Sequence, residues 1–336
     1  MKIVLLSKEN ENNWNNFIDN HKNGLIYYKT EWRDAISKEY GHDSKYYYVE
    51  NKEKIIAILP LFIVHSIFKK VIISIPYCPY GGVLSVDSNA ESLLINKALE
   101  LAKERKVDYI ELKEVNSKYK EFVNVSNHIT FHLSLKKEFE LIWSELSKST
   151  KRHVKKGQKL DYKITFDSNI EVFYNLYLKH LKKIGTPPMS MRFFKVLHQN
   201  YGESFKIATI WFENNPAASI LLLISNNSVI YDRGSTNYDL RHLSLNYVLF
   251  WEIIKKYSNS KFDYFDFGRS VKDSGTFQFK NGWRPKIIPL NYQYYILKGN
   301  TPNYSQVNSK RKLFTHIFKW LPRIPYIDYK IRKWFP

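Results

Sequence analysis

A single cysteine, Cys78, occurs in 336 residues. One thiol cannot close an internal disulfide or build a cysteine-based zinc site, and this usage suits a reducing compartment. Its neighbours Tyr77 and Pro79 make it a buried structural thiol rather than a nucleophile. Long apolar runs are missing too. The longest, "IIAILPLFIV" (55–64) and "ASILLLIS" (218–225), fall short of the roughly 20 residues that span a bilayer and read as buried strands. The opening "MKIVLLSKENENNW" turns polar too soon for a secretory signal. Neither phosphate-binding loop, G-x-G-x-x-G or G-x-x-x-x-G-K-[ST], is present, and H-E-x-x-H and G-x-S-x-G are absent as well. His128 and His132 sit four apart in "SNHITFHLSL", which alternates like a strand, so they are expected on one face with no carboxylate beside them. Neither a metal nor a cofactor is expected.

One motif needs explanation. Asp266-Phe267-Gly268, inside "YFDFGRSVKDSGTFQFKNGW" (264–283), is the tripeptide that holds magnesium in protein kinases. With no Gly-rich loop, no V-A-I-K lysine and no H-R-D before it, the kinase reading fails. The string reads instead as the end of a core strand, with Phe265 and Phe267 inward, bending at Gly268.

What the chain does have is aromatic and basic residues. Tyr (25) and Phe (21) carry most of a 16% aromatic content, and the length suits about two domains. Lys and Arg number 52 against 32 Asp and Glu, a net charge of +20. That excess points to an anionic partner, or to a general solubility bias.

The two halves read alike. "SKYYYVENKEKIIAILPLFIV" (44–64) and "SFKIATIWFENNPAASILLLIS" (204–225) each predict a β-hairpin with a polar turn. Downstream, "LLINKALELAKERKVDYIEL" (93–112) and "LNYVLFWEIIKKYSNSKFDYFDF" (245–267) each predict an amphipathic helix leading into a short strand. Repetition at nearly one spacing predicts two copies of one α+β domain, at 1–132 and 133–298. Tyr80-Gly81-Gly82, after Pro76 and Pro79, predicts a turn where backbone approaches closely.

The charge concentrates in two segments. In "LSKSTKRHVKKGQKLDYK" (146–163), Lys148, Lys151, Arg152, Lys155, Lys156 and Lys159 recur at spacings of three and four, so six cations share one helix face. Unmixed positive charge there suits a phosphate-binding stripe, although a solvated face is the plain alternative. The tail, 299–336, is basic and amphipathic. Within 310–336 it carries eight Lys and Arg against Asp328 alone, with Leu313, Phe314, Ile317, Phe318, Trp320 and Leu321 on one face and Pro322 and Pro325 ending that helix. It suits an anionic membrane surface, or a helix docked on the protein's own body.

Together, "FYNLYLKHLKKIGTPPMSMRFFKVL" (173–197), "YDRGSTNYDLRHLSLNYVLFWEIIKKY" (231–257), "FDFGRSVKDSGTFQFKNGW" (265–283) and "PLNYQYYIL" (289–297) resemble the FemABX family of aminoacyl transferases. The likeness is greatest to FemAB-like proteins of exosortase (PEP-CTERM) systems. The first half matches more weakly, through "YYKTEWRDAI" (27–36) and "PYGGVL" (79–84). The resemblance implies an α+β chain of two tandem acetyltransferase-like (GNAT) domains. It implies an aminoacyl- or acyltransferase acting on an amine of a cell-envelope peptide or glycan precursor, with aminoacyl-tRNA as donor, in the cytoplasm or at the inner face of the cell membrane. Lys280 occupies the position that supports the transferring carbonyl, with Asp266 and Arg269 opening the same segment. Lys280, following Phe277 and Phe279, is expected in a strand or turn facing a cleft, where Asp266 orients the amine. Tyr231, Arg233, Asn246, Ser270 and Trp283, with Tyr80 and Gly81 in the first half, are the expected substrate-binding positions. The basic stripe is expected to hold the donor. "NYDLRHLSLNYVL" (237–249) lacks the glycines of a CoA pyrophosphate loop, which favours tRNA over acyl-CoA. A CoA-dependent N-acyltransferase, or a non-catalytic nucleic-acid- or lipid-binding protein on the same fold, stands as the alternative.

Overall fold

The computed structural model describes residues 1–66, 69–116, 118–300 and 325–334. The first half contains β1 (Lys2–Leu5), α1 (Glu11–Asn20), α2 (Thr30–Tyr40), β2 (Asp43–Asn51), β3 (Lys54–His65), β4 (Lys70–Ile73), β5 (Leu84–Ser85), α3 (Ser88–Glu104) and β6 (Tyr109–Glu114). After β7 (Val123–Ser134) come α4 (Phe139–Glu145), α5 (Lys148–Gly157), β8 (Tyr162–Asp167), α6 (Ile170–Ile184), α7 (Met191–Tyr201), β9 (Phe205–Phe212), β10 (Asn215–Ile224) and β11 (Ser228–Thr236). The remainder is α8 (Leu245–Tyr257), β12 (Tyr264–Asp266), β13 (Ser270–Val271), α9 (Gly275–Asn281), β14 (Lys286–Ile296) and α10 (Pro325–Trp334). Side-chain caps start several helices. Asp87 accepts from Ala90 N–H before α3, Ser147 from Thr150 N–H before α5, and Ser190 from Phe193 N–H before α7.

These elements form two compact units. Unit 1 holds Met1–His128, the segment from Pro289, and the residues from Tyr329; unit 2 holds Ile129–Ile288. In unit 1 the strand order is β1-β2-β3-β4-β6-β14, with β4 and β6 parallel and the other neighbours antiparallel. In unit 2 it is β8-β9-β10-β11-β12-β7, with β11 and β12 parallel. The two orders correspond strand for strand, so the duplication extends to topology. Even the hairpin turns agree. Lys52-Glu53 and Glu213-Asn214 both hold two consecutive residues at positive φ, the backbone of a two-residue type I′ turn.

In each unit a long helix buries one stripe on the sheet. Leu94, Ala98 and Leu101 of α3 cluster with Val49, Leu59, Leu61, Ile110 and Leu112. Val248, Leu249 and Ile253 of α8 cluster with Ile210, Ile220, Leu222, Val229 and Phe265. Each such Leu, Ile, Val or Phe side chain, fully buried, contributes about 1.5–3 kcal/mol.

The sixth strand departs from sequence order. Unit 1 is completed by Asn291–Ile296 of β14 against β6. Unit 2 is completed by His132, Leu133 and Ser134 of β7 against Asp266, Phe265 and Tyr264. The boundary therefore falls at 128/129 rather than 132/133, and residues from Pro289 belong with unit 1 rather than with the second copy. Strand pairing, invisible to a repeat search, is the reason.

Most of the expected tail, including its first helix, lies outside the described residues. In α10, Tyr329 stacks on Tyr40 (5.9 Å, 15°). The Arg332 guanidinium lies 5.2 Å from the Tyr77 ring centre, and the Tyr77 hydroxyl donates to the Arg332 carbonyl at 3.3 Å. Of the two readings of the tail, docking on the protein's own body holds for these residues. Among the described residues no helix is long and apolar enough to cross a membrane.

The borrowed strand gives a direct expectation. A fragment of residues 133–298 loses Thr130, Phe131 and His132 of β7 and should unfold without a cooperative urea transition. Starting the same fragment at residue 123 should restore cooperativity by circular dichroism. Equal transitions for both would show that unit 2 does not need this strand.

Candidate active site

The ladder between β11 and β12 is short. It runs from Ser228–Tyr264 to Ile230–Asp266 and stops, while β11 continues beside β10 as far as Thr236. Within that continuation the register shifts. Leu222 faces Tyr231 and Leu221 faces Arg233, so Asp232 is the extra residue of a β-bulge. On the other side the chain leaves β12 through Gly268 at φ +70, where an added Cβ would lie 3.1 Å from the Tyr231 carbonyl. A wedge thus opens between Tyr231–Thr236 and the chain after Asp266. The Tyr231 ring packs against Gly234, where a Cβ would come within 2.6 Å of it, and lies 5.1 Å from Phe250. Burial, chiefly, pushes the Tyr231 phenol up to about 12. Arg233 pairs with the buried carboxylate of Asp232 and lies 5.9 Å from the Phe194 ring centre.

Lys280 lies at the head of this wedge, but in helix α9 and not in the expected strand or turn. Ser274 caps that helix by accepting from Phe277 N–H at 3.1 Å. Phe277 reaches Phe131, and Phe279 reaches Tyr247 and Phe250. The Lys280 ammonium is buried and donates to the carbonyls of Gly268 (2.9 Å) and Arg269 (3.0 Å). It lies 5.7 Å from the Phe131 ring centre and 5.8 Å from that of Tyr231. Burial pulls its pKa down to about 8; Asp266 acts against this and Arg269 adds to it.

Asp266 is 1% exposed and does not face a cleft, which corrects the expectation that it orients the amine. One carboxylate oxygen accepts from the Thr130 hydroxyl (2.6 Å) and from Gly268 N–H (2.8 Å). The other lies 3.7 Å from His132 Nε2. His132 therefore does have a carboxylate beside it, contrary to the sequence reading, because β7 pairs with a strand far along the chain. Asp266 acts on the site through its neighbours, by fixing the Gly268 turn.

The other expected positions separate. Arg269 is exposed beside the wedge, and Ser270 is buried at the start of β13. Asn246 is half-buried in the first turn of α8. Trp283 is fully buried among Phe250, Phe267, Phe279 and Tyr247, so it is a core residue and not a substrate contact. Tyr80 and Gly81 belong to unit 1 and are buried in its own backbone network. Gly81 N–H donates to the Lys113 carbonyl at 2.8 Å, and its carbonyl accepts from the Ser74 hydroxyl. Gly81 holds φ +154, and a Cβ there would lie 2.7 Å from the Ile75 side chain.

The basic helix α5 is seated on the first turn of α8. Gly157 allows the approach, since a Cβ there would meet Val248 at 2.5 Å and the Ser244 carbonyl at 3.2 Å. His153 Nδ1 lies 2.9 Å from the Ser244 hydroxyl, and its ring stacks on Tyr247 at 4.5 Å. Lys148, Arg152, Lys155 and Lys156 are exposed opposite the buried Thr150, Val154 and Gly157. Two members of the expected six differ. Lys151 is half-buried and donates to the Ser144 carbonyl at 2.7 Å, closing the end of α4. Lys159 is exposed but lies in the turn after the helix.

Residues 144–281 match the family model of the acetyltransferase (GNAT) domain. Solved structures share the fold of about nine-tenths of the chain. It is similar to FemX (TM-score 0.70, 14% identity, 91% of this chain and 100% of that one). It is similar to the C-terminal domain of a putative lysylphosphatidylglycerol synthetase from Agrobacterium fabrum (0.60, 10%, 91% and 96%) and to a tandem GNAT protein of the clavulanic acid pathway (0.56, 8%, 89% and 99%). No curated protein sequence matches the chain. The likeness to FemABX-like GNAT proteins, first seen in motifs, is met by the domain match and by the fold, and the tandem α+β architecture with it.

The domain match begins after β7 and so excludes Thr130, Phe131 and His132. Sequence reasoning missed all three as site residues. Alternation puts His128 and His132 on one face, but nothing local shows what that face meets, or that Thr130 between them shares it. Among the described residues no group of three or more His, Cys, Asp or Glu is placed to hold a metal.

Thr130→Val should test the Asp266 anchor. Removing a hydroxyl from a buried carboxylate costs roughly 1–3 kcal/mol, so the urea midpoint should fall with the slope unchanged. An unaltered midpoint would mean that the Gly268 amide alone suffices.

Proposed function

We propose that the chain transfers an aminoacyl or acyl group from an activated ester donor to an amine of a cell-envelope peptide or glycan precursor, with aminoacyl-tRNA as donor, in the cytoplasm or at the inner face of the cell membrane. The observation that carries the chemistry is the Lys280 ammonium at the head of the wedge. An ammonium has three N–H donors. Two serve the Gly268 and Arg269 carbonyls, which fix the nitrogen in place, and the third remains for an acyl oxygen. The acceptor amine attacks the ester carbonyl, a C–N bond forms, and negative charge gathers on the carbonyl oxygen. The C–O bond to the donor then breaks, and the leaving hydroxyl takes up the proton that the amine gives up. A held cation in a dry site stabilises that oxygen without reorganising.

The donor follows from α5. Its four exposed cations present an unmixed positive face on the side of the helix turned away from α8. The glycine-free loop 237–244 supports a nucleic-acid donor over a CoA pyrophosphate. The acceptor class rests on the resemblance to FemABX proteins, and the fold shared with FemX supports it.

Assays with aminoacyl-tRNA and acyl-CoA in parallel, on amine-bearing envelope precursors, decide the donor. Consumption of acyl-CoA alone would replace tRNA in this reading. Lys280→Met should lower turnover on the order of 100- to 1000-fold with donor binding retained. Because the charged form is the useful one, the parent's turnover should decline as pH rises through about 8. The variant should lack that limb. Turnover within about threefold of the parent would remove Lys280 from the mechanism.

Replacing Lys148, Arg152, Lys155 and Lys156 together by Gln should weaken tRNA binding. Each lost contact should flatten the dependence of log affinity on log salt by about 0.7–0.9. An unchanged slope would make the stripe a solvated face.

A further inference from the structure

Unit 2 has a second opening, which the transfer reading does not use. It is a cavity of about 200 Å³ whose polar lining is His132, Ser134, Lys137, Glu145, Arg284 and Lys286. Lys137 is paired with Glu145, so those two charges cancel. Arg284 and Lys286 are exposed, and neither has a carboxylate partner among the described residues. Arg284 is held at φ +57, left-handed backbone that a side-chain-bearing residue adopts at some cost. The His132 ring is positioned from two sides. It stacks on Tyr264 at 4.1 Å and 15°, and its Nε2 lies 3.7 Å from the buried Asp266. The cavity thus gathers an oriented imidazole, a planar guanidinium and an ammonium around one small space.

That set fits one chemistry. A guanidinium matches two oxygens of a phosphate or carboxylate at once, and an ammonium adds a point charge. The volume is below the roughly 300 Å³ at which pockets for drug-sized ligands begin, so it suits a terminal group and not a whole nucleotide. We propose that this pocket binds a small oxyanion, a phosphate or carboxylate group, through Arg284, Lys286 and His132. The proposal does not depend on the donor, the acceptor or the role of Lys280.

The test is a titration of the full chain with inorganic phosphate, following the His132 side-chain resonance by NMR, assigned through His132→Gln. Chloride at matched ionic strength is the control, and a parallel titration with acetate distinguishes a carboxylate from a phosphate. A saturable shift with either anion and none with chloride is expected. The Arg284→Gln/Lys286→Gln double variant, altered only at exposed positions, should bind at least tenfold more weakly with an unchanged circular dichroism spectrum. Lys280→Met should bind as the parent does, which separates this pocket from the transfer chemistry. No saturable shift with either anion, or equal affinity in the double variant, would overturn the proposal.

Discussion

A buried ammonium bonded to two backbone carbonyls is the interaction on which the candidate site depends. Lys280 draws the Gly268 and Arg269 carbonyls together at the point where β12 has just parted from β11. An ion with little access to water is stable only where such partners meet it. Asp266 secures the same turn from the other side, through Gly268 N–H, and is itself held by Thr130. The wedge is therefore a braced opening, with a glycine at its bend and rings of Phe131 and Tyr231 around the charge. A lysine on a loose surface strand would have neither a lowered pKa nor a fixed nitrogen.

Much of this was legible in the sequence. The hairpins, the helix-to-strand units and the inward Phe265 and Phe267 follow from periodicity, and the structure has them where the pattern put them. Lys280, Asp266 and Gly268 do lie together, since the Lys280 ammonium donates to the Gly268 carbonyl and Gly268 N–H donates to Asp266. What was not legible is long-range pairing. The Asp266 carboxylate meets Thr130 across 136 positions, and no local signal marks that contact. The same blindness misplaced Trp283, whose aromatic ring reads equally well as a platform for substrate or as core. Only the surrounding Phe and Tyr rings decide for core. The place of Lys280 after Phe277 and Phe279 reads as a strand or turn, yet Ser274 caps a helix there and tertiary context fixes it.

The basic helix shows how composition becomes geometry. Six cations at helical spacing describe a face, but the side chains divide the work. Lys151 closes the end of α4, Lys159 falls beyond the helix, and four remain outward. Gly157 then brings the other face of that helix against the start of α8, which leaves the four cations turned outward.

The borrowed strands also bear on how the chain is made. Asn291 hydrogen-bonds to the carbonyl of Val115, 176 positions earlier, in completing the sheet of unit 1. As the polypeptide leaves the ribosome, β6 must wait with an open edge until residues 291–296 have been synthesised. β7, which follows it directly, is by then committed to β12. An unsatisfied strand edge held for that time is a site for wrong pairing. Folding of the first unit is thereby tied to synthesis of β14, and a product truncated before that strand would expose the edge of β6 permanently.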